Sequence, residues 1–473
     1  MHHIVAAVCL LLFSPIALSE PNYVREIDRF LKSEMQDRHI PGLQLAVVRD
    51  GQIVLSRSYG TADLANDVPV TEKSVFSINS ATKSFTGVAV MQLVESGKVA
   101  LDAPVSRYID GLPETWQRVT ITQLLNHTSG LPDIIDQRRS PQAVTDDPAA
   151  AWAAVQLQPL ESAPGERFSY NQTNYLLLGK VIDKLAAKPF TDFMRERQFV
   201  RAGMTNTAFG DSYHLVRYRA PAWRWDGRSH LPAFDQFPDF LLTGAGINSS
   251  ARELAQWLIA LQQEKLISKT SLGLLWRAGT FNDGRTAPWA LGWPVISNGN
   301  VGTVGGMGGA RSAFFVYPEQ GLAVVMLTNL RGGAPEELID AVAARVAPPM
   351  RGKIDGNYTA YLLRESLRNS GYENIGTRLA QLKRSGMADP REAYLNSWAY
   401  RLSRTKQHAE ALAVFRLAAE LYPRSANAHD SLAEGLEAAG QPMAAAEAYR
   451  RSLVLDAGNT HATDRLKAIS LGQ

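Results

Sequence analysis

The spacing of hydrophobic positions changes along the chain, and the changes divide it. Apolar side chains at Val24, Ile27, Phe30 and Leu31 recur with the three-to-four-residue period of a helix that buries one face, which predicts a helix over 23–37. Two short apolar runs follow, at 44–48 and 53–58, separated by Arg49-Asp50-Gly51-Gln52. Asp-Gly between two such runs predicts a tight hairpin, because that turn needs residues that accept positive φ. A second pair of strands is expected at 312–317 and 322–328, joined by Pro318-Glu319-Gln320-Gly321, and a last helix at 335–345 with proline in its first turn. Strands at both ends with helices between them predict an α/β (α+β) fold. Its antiparallel sheet is closed by both ends of the region, flanked by helices, and interrupted by a helical insertion. Inside that insertion, Ser250-Ala251-Arg252-Glu253 has the spacing of a capping box opening a helix to Leu261.

The C-terminal part follows a different rule. Trp398/Leu432, Ala399/Ala433, Leu402/Leu436, Ala411/Ala445, Phe415/Tyr449 and Leu421/Leu455 each stand 34 positions apart. This is the tetratricopeptide period, with an Ala-x3-Phe/Tyr element and Pro423 after the second helix. The segment resembles two such repeats from about Pro390, with 461–469 as a partial third helix. Such helix pairs bury their faces only against neighbours, so the expected all-α TPR-like domain covers 390–473. Between 348 and 389, helical stretches near 360–367 and 375–382 predict a helical linker. The region from 20 to 347 then forms one large unit.

Composition adds limits. The 473 residues are 45% hydrophobic and 20% charged, which is the make-up of a globular protein with ample core. Lys and Arg total 49 against 46 Asp and Glu, a net charge of +3, with no long basic run, so no nucleic-acid partner is expected. Residues 4–13 form an apolar run too short for a stable membrane span. Pro15 and then Ala17-Leu18-Ser19 follow, which predicts an export signal over 1–19, cleaved before Glu20. The chain's single cysteine, Cys9, falls inside that segment, so the mature protein should be free of thiols and its nucleophile an oxygen.

Candidate chemistry centres on Ser80-Ala81-Thr82-Lys83, which opens an apolar helix ending at Gly97. Positions i and i+3 share a helix face, so the Lys83 amine can approach the Ser80 hydroxyl. A serine in the first turn also lies near free backbone N–H groups and the positive end of the helix dipole. The same spacing at Ser403-Arg404-Thr405-Lys406 falls in the first repeat and is expected to be a solvated turn.

Context separates the two copies. The stretch around Ser80, with Ile40-Pro41-Gly42, Leu124-Leu125-Asn126-His127-Thr128-Ser129-Gly130-Leu131 and Phe168-Ser169-Tyr170-Asn171, resembles the serine β-lactamase-related hydrolases. These are the class C-like branch of the penicillin-recognising enzymes, together with D-Ala-D-Ala carboxypeptidases and family VIII-type esterases. The resemblance covers roughly residues 24–346 and implies a β-lactamase/transpeptidase-like fold. It also implies Ser80 as nucleophile, Lys83 as its base or activator, and Tyr170 as the second proton carrier. His127 is expected to make a structural hydrogen bond. Two motif positions depart from the family. Gln172 stands where Asn is usual, keeping an amide one methylene further out. On the strand that lines the site, Gly302-Thr303-Val304-Gly305-Gly306 places Thr303 where a Lys or His is usual and Val304 where a hydroxyl is usual. Gln172, Thr303, Gly305 and Gly306 are the candidate substrate and oxyanion contacts, with the Gly306 N–H expected to join that of Ser80. Loss of the cation weakens carboxylate binding and removes one stabiliser of the Tyr170 phenolate.

The leading expectation is an exported, periplasmic or secreted serine hydrolase that forms an acyl-enzyme with a small ester, amide or peptide. Esterase or peptidase action is favoured over efficient β-lactam hydrolysis. No cofactor and no metal are expected, and a protein partner of the repeats is. A second reading stays open: a catalytically weak binding protein that kept the penicillin-recognising fold. Trp223, Arg224 and Trp225, in the aperiodic stretch 211–240, are candidates to line a pocket.

Overall fold

The computed structural model describes residues 21–135, 147–296, 301–368 and 370–470. The expected export signal lies outside them. Seven strands form the main sheet: β1 (Gly42–Arg49), β2 (Gln52–Asp63), β3 (Val68–Pro69), β4 (Val295–Ile296), β5 (Thr303–Gly308), β6 (Ser312–Tyr317) and β7 (Leu322–Thr328). Their spatial order is β3-β2-β1-β7-β6-β5-β4, with every neighbouring pair antiparallel. The first and last long strands therefore lie side by side, with Leu43 opposite Thr328 and Arg49 opposite Leu322. The β1–β2 turn takes φ 49° at Asp50 and 74° at Gly51, the pair of positive values that Asp-Gly supplies.

The sheet is buried on both faces, and the period-two alternation assigns each side chain to one of them. Ala46, Val48, Phe314, Val316, Val325 and Leu327 pack against the helical insertion. Leu45, Val47, Phe315, Tyr317, Val324 and Met326 pack beneath the amino-terminal helix Asn22–Arg38 and the helix Ile339–Val346. Each such side chain contributes on the order of 1.5–3 kcal/mol by leaving water.

The insertion carries the helix Thr82–Glu95, which is buried nearly all round, and the helix Thr173–Ala186. The helix Ala251–Gln262 starts at the expected cap, with the Ser250 side chain accepting the Glu253 N–H at 3.2 Å. The Glu253 carboxylate does not close the reciprocal half of a capping box. It accepts instead from the Asn206 N–H at 2.8 Å and the Thr207 hydroxyl at 2.6 Å, tying this helix to a neighbouring loop.

The segment expected as a linker holds the helices Gly356–Leu367 and Ile375–Arg384. The first of these is seated in the core, with the rings of Tyr358 and Tyr361 edge-on to Phe30 at 5.4 and 5.1 Å. A buried ionic cluster joins the two ends of the chain. Glu34, on the amino-terminal helix, meets Arg38 at 2.9 Å and Arg364 at 2.7 Å, and accepts the Tyr394 hydroxyl at 2.6 Å. Burial opposes ionisation of Glu34, but Arg364 and then Arg38 outweigh it and hold its pKa at about 2. Five helices follow: Glu392–Arg404, His408–Leu421, Ala426–Ala438, Pro442–Leu455 and Thr460–Ser470. Gly435 lets two of them approach closely, since a Cβ there would lie 2.5 Å from the Phe415 ring. No described helix is long and apolar enough to cross a membrane.

Candidate active site

Ser80 lies in the 3-10 turn Asn79–Ala81, half-buried, directly ahead of the helix Thr82–Glu95. Residues 76–77 pair with 248–249, and the Ile78 N–H donates to the Ile247 carbonyl at 2.9 Å, so the turn enters the helix from a small sheet. One turn into that helix, the Lys83 side chain is buried at 1% exposure. It donates to Gln172 Oε1 at 2.9 Å and to the Gly244 carbonyl at 3.0 Å. The amine also lies 4.8 Å from the centre of the Tyr170 ring and 5.0 Å from that of Tyr175. Two of its tetrahedral directions are therefore taken by carbonyl oxygens, which leaves its remaining direction for a lone pair or proton. A Cβ at Gly244 would stand 2.9 Å from Gln172 Oε1 and 3.0 Å from the Lys83 nitrogen, so a larger residue there would push on both side-chain ends.

The Tyr170-Asn171-Gln172 turn is built on His127, which is completely buried. His127 Nδ1 accepts from the Asn171 N–H at 3.3 Å and lies 3.2 Å from the Asn174 amide nitrogen. Both partners are donors, so Nδ1 is the bare nitrogen of a neutral ring. Burial, reinforced by the nearby Lys83 charge, holds its pKa well below the usual 6.5. The Tyr170 ring leans on His127 at 4.4 Å and meets Trp289 edge-on at 5.6 Å, while 36% of Tyr170 remains exposed. Asp133 completes the turn by accepting the Gln172 N–H at 2.9 Å, and burial raises its pKa. The structure thus gathers Lys83, Tyr170 and Gln172 around one helix start that also carries Ser80.

The strand beside them departs from expectation. Thr303 is buried, and its hydroxyl donates to the Val301 carbonyl at 2.9 Å. The Gly305 N–H donates to the Pro294 carbonyl at 3.1 Å, which removes it from the candidate oxyanion donors. Backbone N–H groups alternate sides along a strand, so the Gly306 N–H faces Phe314, its partner on β6, and the Met307 N–H faces the open side shared with Gly305. Closest approach to the nucleophile comes at Gly308, where a Cβ would lie 2.0 Å from the Ile78 oxygen and 2.7 Å from the Ser80 nitrogen. It is therefore Gly308, rather than Gly305 or Gly306, that packs against the backbone at Ser80.

Trp223 and Trp225 do not line this site. They belong to a hairpin, Ala222–Trp225 with His230–Ala233, whose backbone is tied to Asn329 and Arg331, and Trp225 stacks on His39 at 4.0 Å. Metal-ligand composition occurs elsewhere among the described residues, at Asp430, Glu434 and His461, where the imidazole nitrogens lie 2.9 Å from Asp430 Oδ2 and 3.6 Å from Glu434 Oε1.

A family profile described as beta-lactamase matches residues 27–348. The chain belongs to the beta-lactamase family. Among curated relatives of this beta-lactamase family member, Protein flp of Staphylococcus aureus (strain COL) is 24% identical over 334 residues. That alignment takes in 68% of this chain and 66% of the relative, so the chain spans just under two thirds of the relative's length. The octameric penicillin-binding protein homologue from Pyrococcus abyssi superposes with a TM-score of 0.61 at 24% identity, covering 72% of this chain and 81% of that one. D-amino acid amidase from Ochrobactrum anthropi SV3, complexed with L-phenylalanine amide, gives 0.59 at 23% identity, covering 70% and 99%. These two structures establish a shared fold. Beta-lactamase-fold proteins are generally serine hydrolases.

Proposed function

We propose that this family member is an exported serine hydrolase that cleaves an ester or amide through an acyl-enzyme on Ser80. The observation that carries the reading is the Lys83 amine, held by Gln172 Oε1 and the Gly244 carbonyl one helical turn from Ser80. With both acceptors occupied by amine hydrogens, a neutral Lys83 directs its lone pair to the remaining side and takes the Ser80 proton as Oγ attacks the carbonyl carbon. The developing oxyanion lies between the N–H of Ser80 and that of Met307, worth about 3 kcal/mol per donor. Tyr170 gives its proton to the departing alkoxide or amine and regains one from the Lys83 ammonium, which leaves the acyl group on Ser80 and Lys83 neutral again. Water, giving up its proton along the same path, then hydrolyses that ester.

The substrate reading follows from β5. Thr303 replaces the usual cation and spends its hydroxyl on Val301, which disfavours a free carboxylate beside the scissile bond. Neutral esters, amides and D-amino-acid peptides fit better than β-lactams. A screen across p-nitrophenyl esters, D-amino-acid amides and a chromogenic cephalosporin tests this. Turnover of the ester or amide well above the cephalosporin supports the reading, and the reverse order refutes it.

Export rests on the apolar run 4–13 and Ala17-Leu18-Ser19, and implies a periplasmic or secreted enzyme. The 34-residue spacing in the C-terminal helices supports a tetratricopeptide-like surface for a protein partner.

A further inference from the structure

The residue before the nucleophile, Asn79, has φ 48° although it is not glycine. The left-handed region is uphill for an L-residue and persists where the surroundings impose it. At Asn79 the surroundings are the turn between β5 and β6, which grips the chain on both sides of it. Ser312 Oγ donates to the Ile78 carbonyl at 2.6 Å. Gly308 lies against the Ser80 nitrogen. Between them, Arg311 Nη2 donates to Asn79 Oδ1 at 3.1 Å.

The same Arg311 nitrogen stands 2.6 Å from Asp235 Oδ2, and both residues are buried, at 3% and 7% exposure. Asp235 comes from the stretch 211–240 and is anchored a second time by Arg331 at 3.2 Å. Its backbone N–H donates to Ser212 Oγ at 2.8 Å, which brings Tyr213 and Phe234 into one neighbourhood. Those two rings are 72% and 66% exposed. One guanidinium thus touches the residue before the nucleophile and, through Asp235, the segment that carries the exposed Tyr213 and Phe234.

Resting on the reading of Ser80 as nucleophile, we infer that Arg311 is a positioning residue: it holds Asn79 in the conformation that aims the Ser80 N–H and Oγ, and Asp235 links that aim to the segment carrying Tyr213 and Phe234. A fluorophosphonate probe, with its site mapped and its rate constant for inactivation separated from its binding constant, tests this alongside the melting temperature. Arg311→Lys keeps a cation for Asp235 but is shorter and lacks the rigid guanidinium plane that holds Nη2 on both partners. Asn79→Gly keeps access to the left-handed backbone but removes the amide.

The inactivation rate constant should fall about tenfold or more in either variant, with the binding constant unchanged, since a small misaim of a nucleophile is costly. The double variant should be no slower than the slower single one, because both substitutions break the same contact. If Arg311→Lys does not fold, Asn79→Gly carries the rate test alone. A lower melting temperature with a wild-type rate constant would mean a merely structural ion pair and overturns the inference, as do fully multiplicative effects in the double variant. Wild-type labelling at a residue other than Ser80 overturns the nucleophile reading and this inference with it. Labelling at Ser80 that is indifferent to both substitutions overturns the inference alone.

Discussion

The Lys83 amine lies 2.9 Å from Oε1 of Gln172, a residue 89 positions away, and that contact joins the start of one helix to the turn that carries Tyr170. The extra methylene of glutamine spans the gap, so a residue that departs from the family pattern supplies the polar support expected at its position. Gln172→Ala should lower kcat/KM for an ester substrate roughly ten- to hundredfold, the worth of a hydrogen bond to a charged or catalytic group. Gln172→Asn should fall between, being shorter by one methylene. Steady-state kinetics on the three proteins checks the order.

Gly308 gives a sharper steric test. A Cβ there overlaps the Ile78 oxygen and the Ser80 nitrogen, whereas one at Gly302 meets nothing within 4 Å. Gly308→Ala should abolish acylation of Ser80, and Gly302→Ala should leave it near wild type. Pre-steady-state burst amplitudes with a chromogenic ester measure both. Equal amplitudes for the two variants would place the nucleophile away from Gly308.

His127 predicts a pH dependence of stability with a definite sign. In the unfolded chain the imidazole takes a proton near 6.5, while in the fold burial and then Lys83 keep it neutral far below that. The unfolded state therefore binds more protons as pH falls below 6.5. The contribution is complete above 6.5 and is lost at up to about 1.4 kcal/mol per pH unit below it. Urea unfolding at a series of pH values should show a steeper loss below 6.5 for wild type than for His127→Gln. Parallel curves would mean that His127 titrates alike in both states.

Much of this was readable in the sequence, for local reasons. Asp50-Gly51 fixes a hairpin by turn chemistry, the apolar helix after Ser80 shows its own period, and both features depend on neighbours in the chain. What escaped depends on packing between distant segments. The Gly244 carbonyl offers no side chain to notice, and the register that brings Gly308 rather than Gly306 to Ser80 is decided by β6 and the insertion together. The hairpin that carries Trp223 and Trp225 is hard to read from the sequence although Asp226-Gly227 has the same turn signal as Asp50-Gly51. That hairpin has strands of only four residues, too short for a visible alternation.

The Glu34 cluster predicts that the two ends of the chain unfold as one unit. Removing a partner from a buried ion pair leaves charge unpaired and costs about 3–5 kcal/mol. Glu34→Gln should reduce the unfolding free energy by an amount of that order at pH 7. The deficit should shrink as pH falls from 4.5 towards about 2, because wild-type Glu34 itself takes up a proton across that window. Denaturant titrations at pH 7 and pH 3 check both statements.

Trapping of the acyl-enzyme tests Ser80 as the nucleophile most directly. After mixing with a p-nitrophenyl ester and rapid acid quench, intact mass and peptide mapping should find one acyl group on Ser80 in wild type and none in Ser80→Ala. Slow or absent acylation of wild type would favour a binding protein on this fold, and acylation of Ser80→Ala at the wild-type rate would contradict Ser80 as the nucleophile.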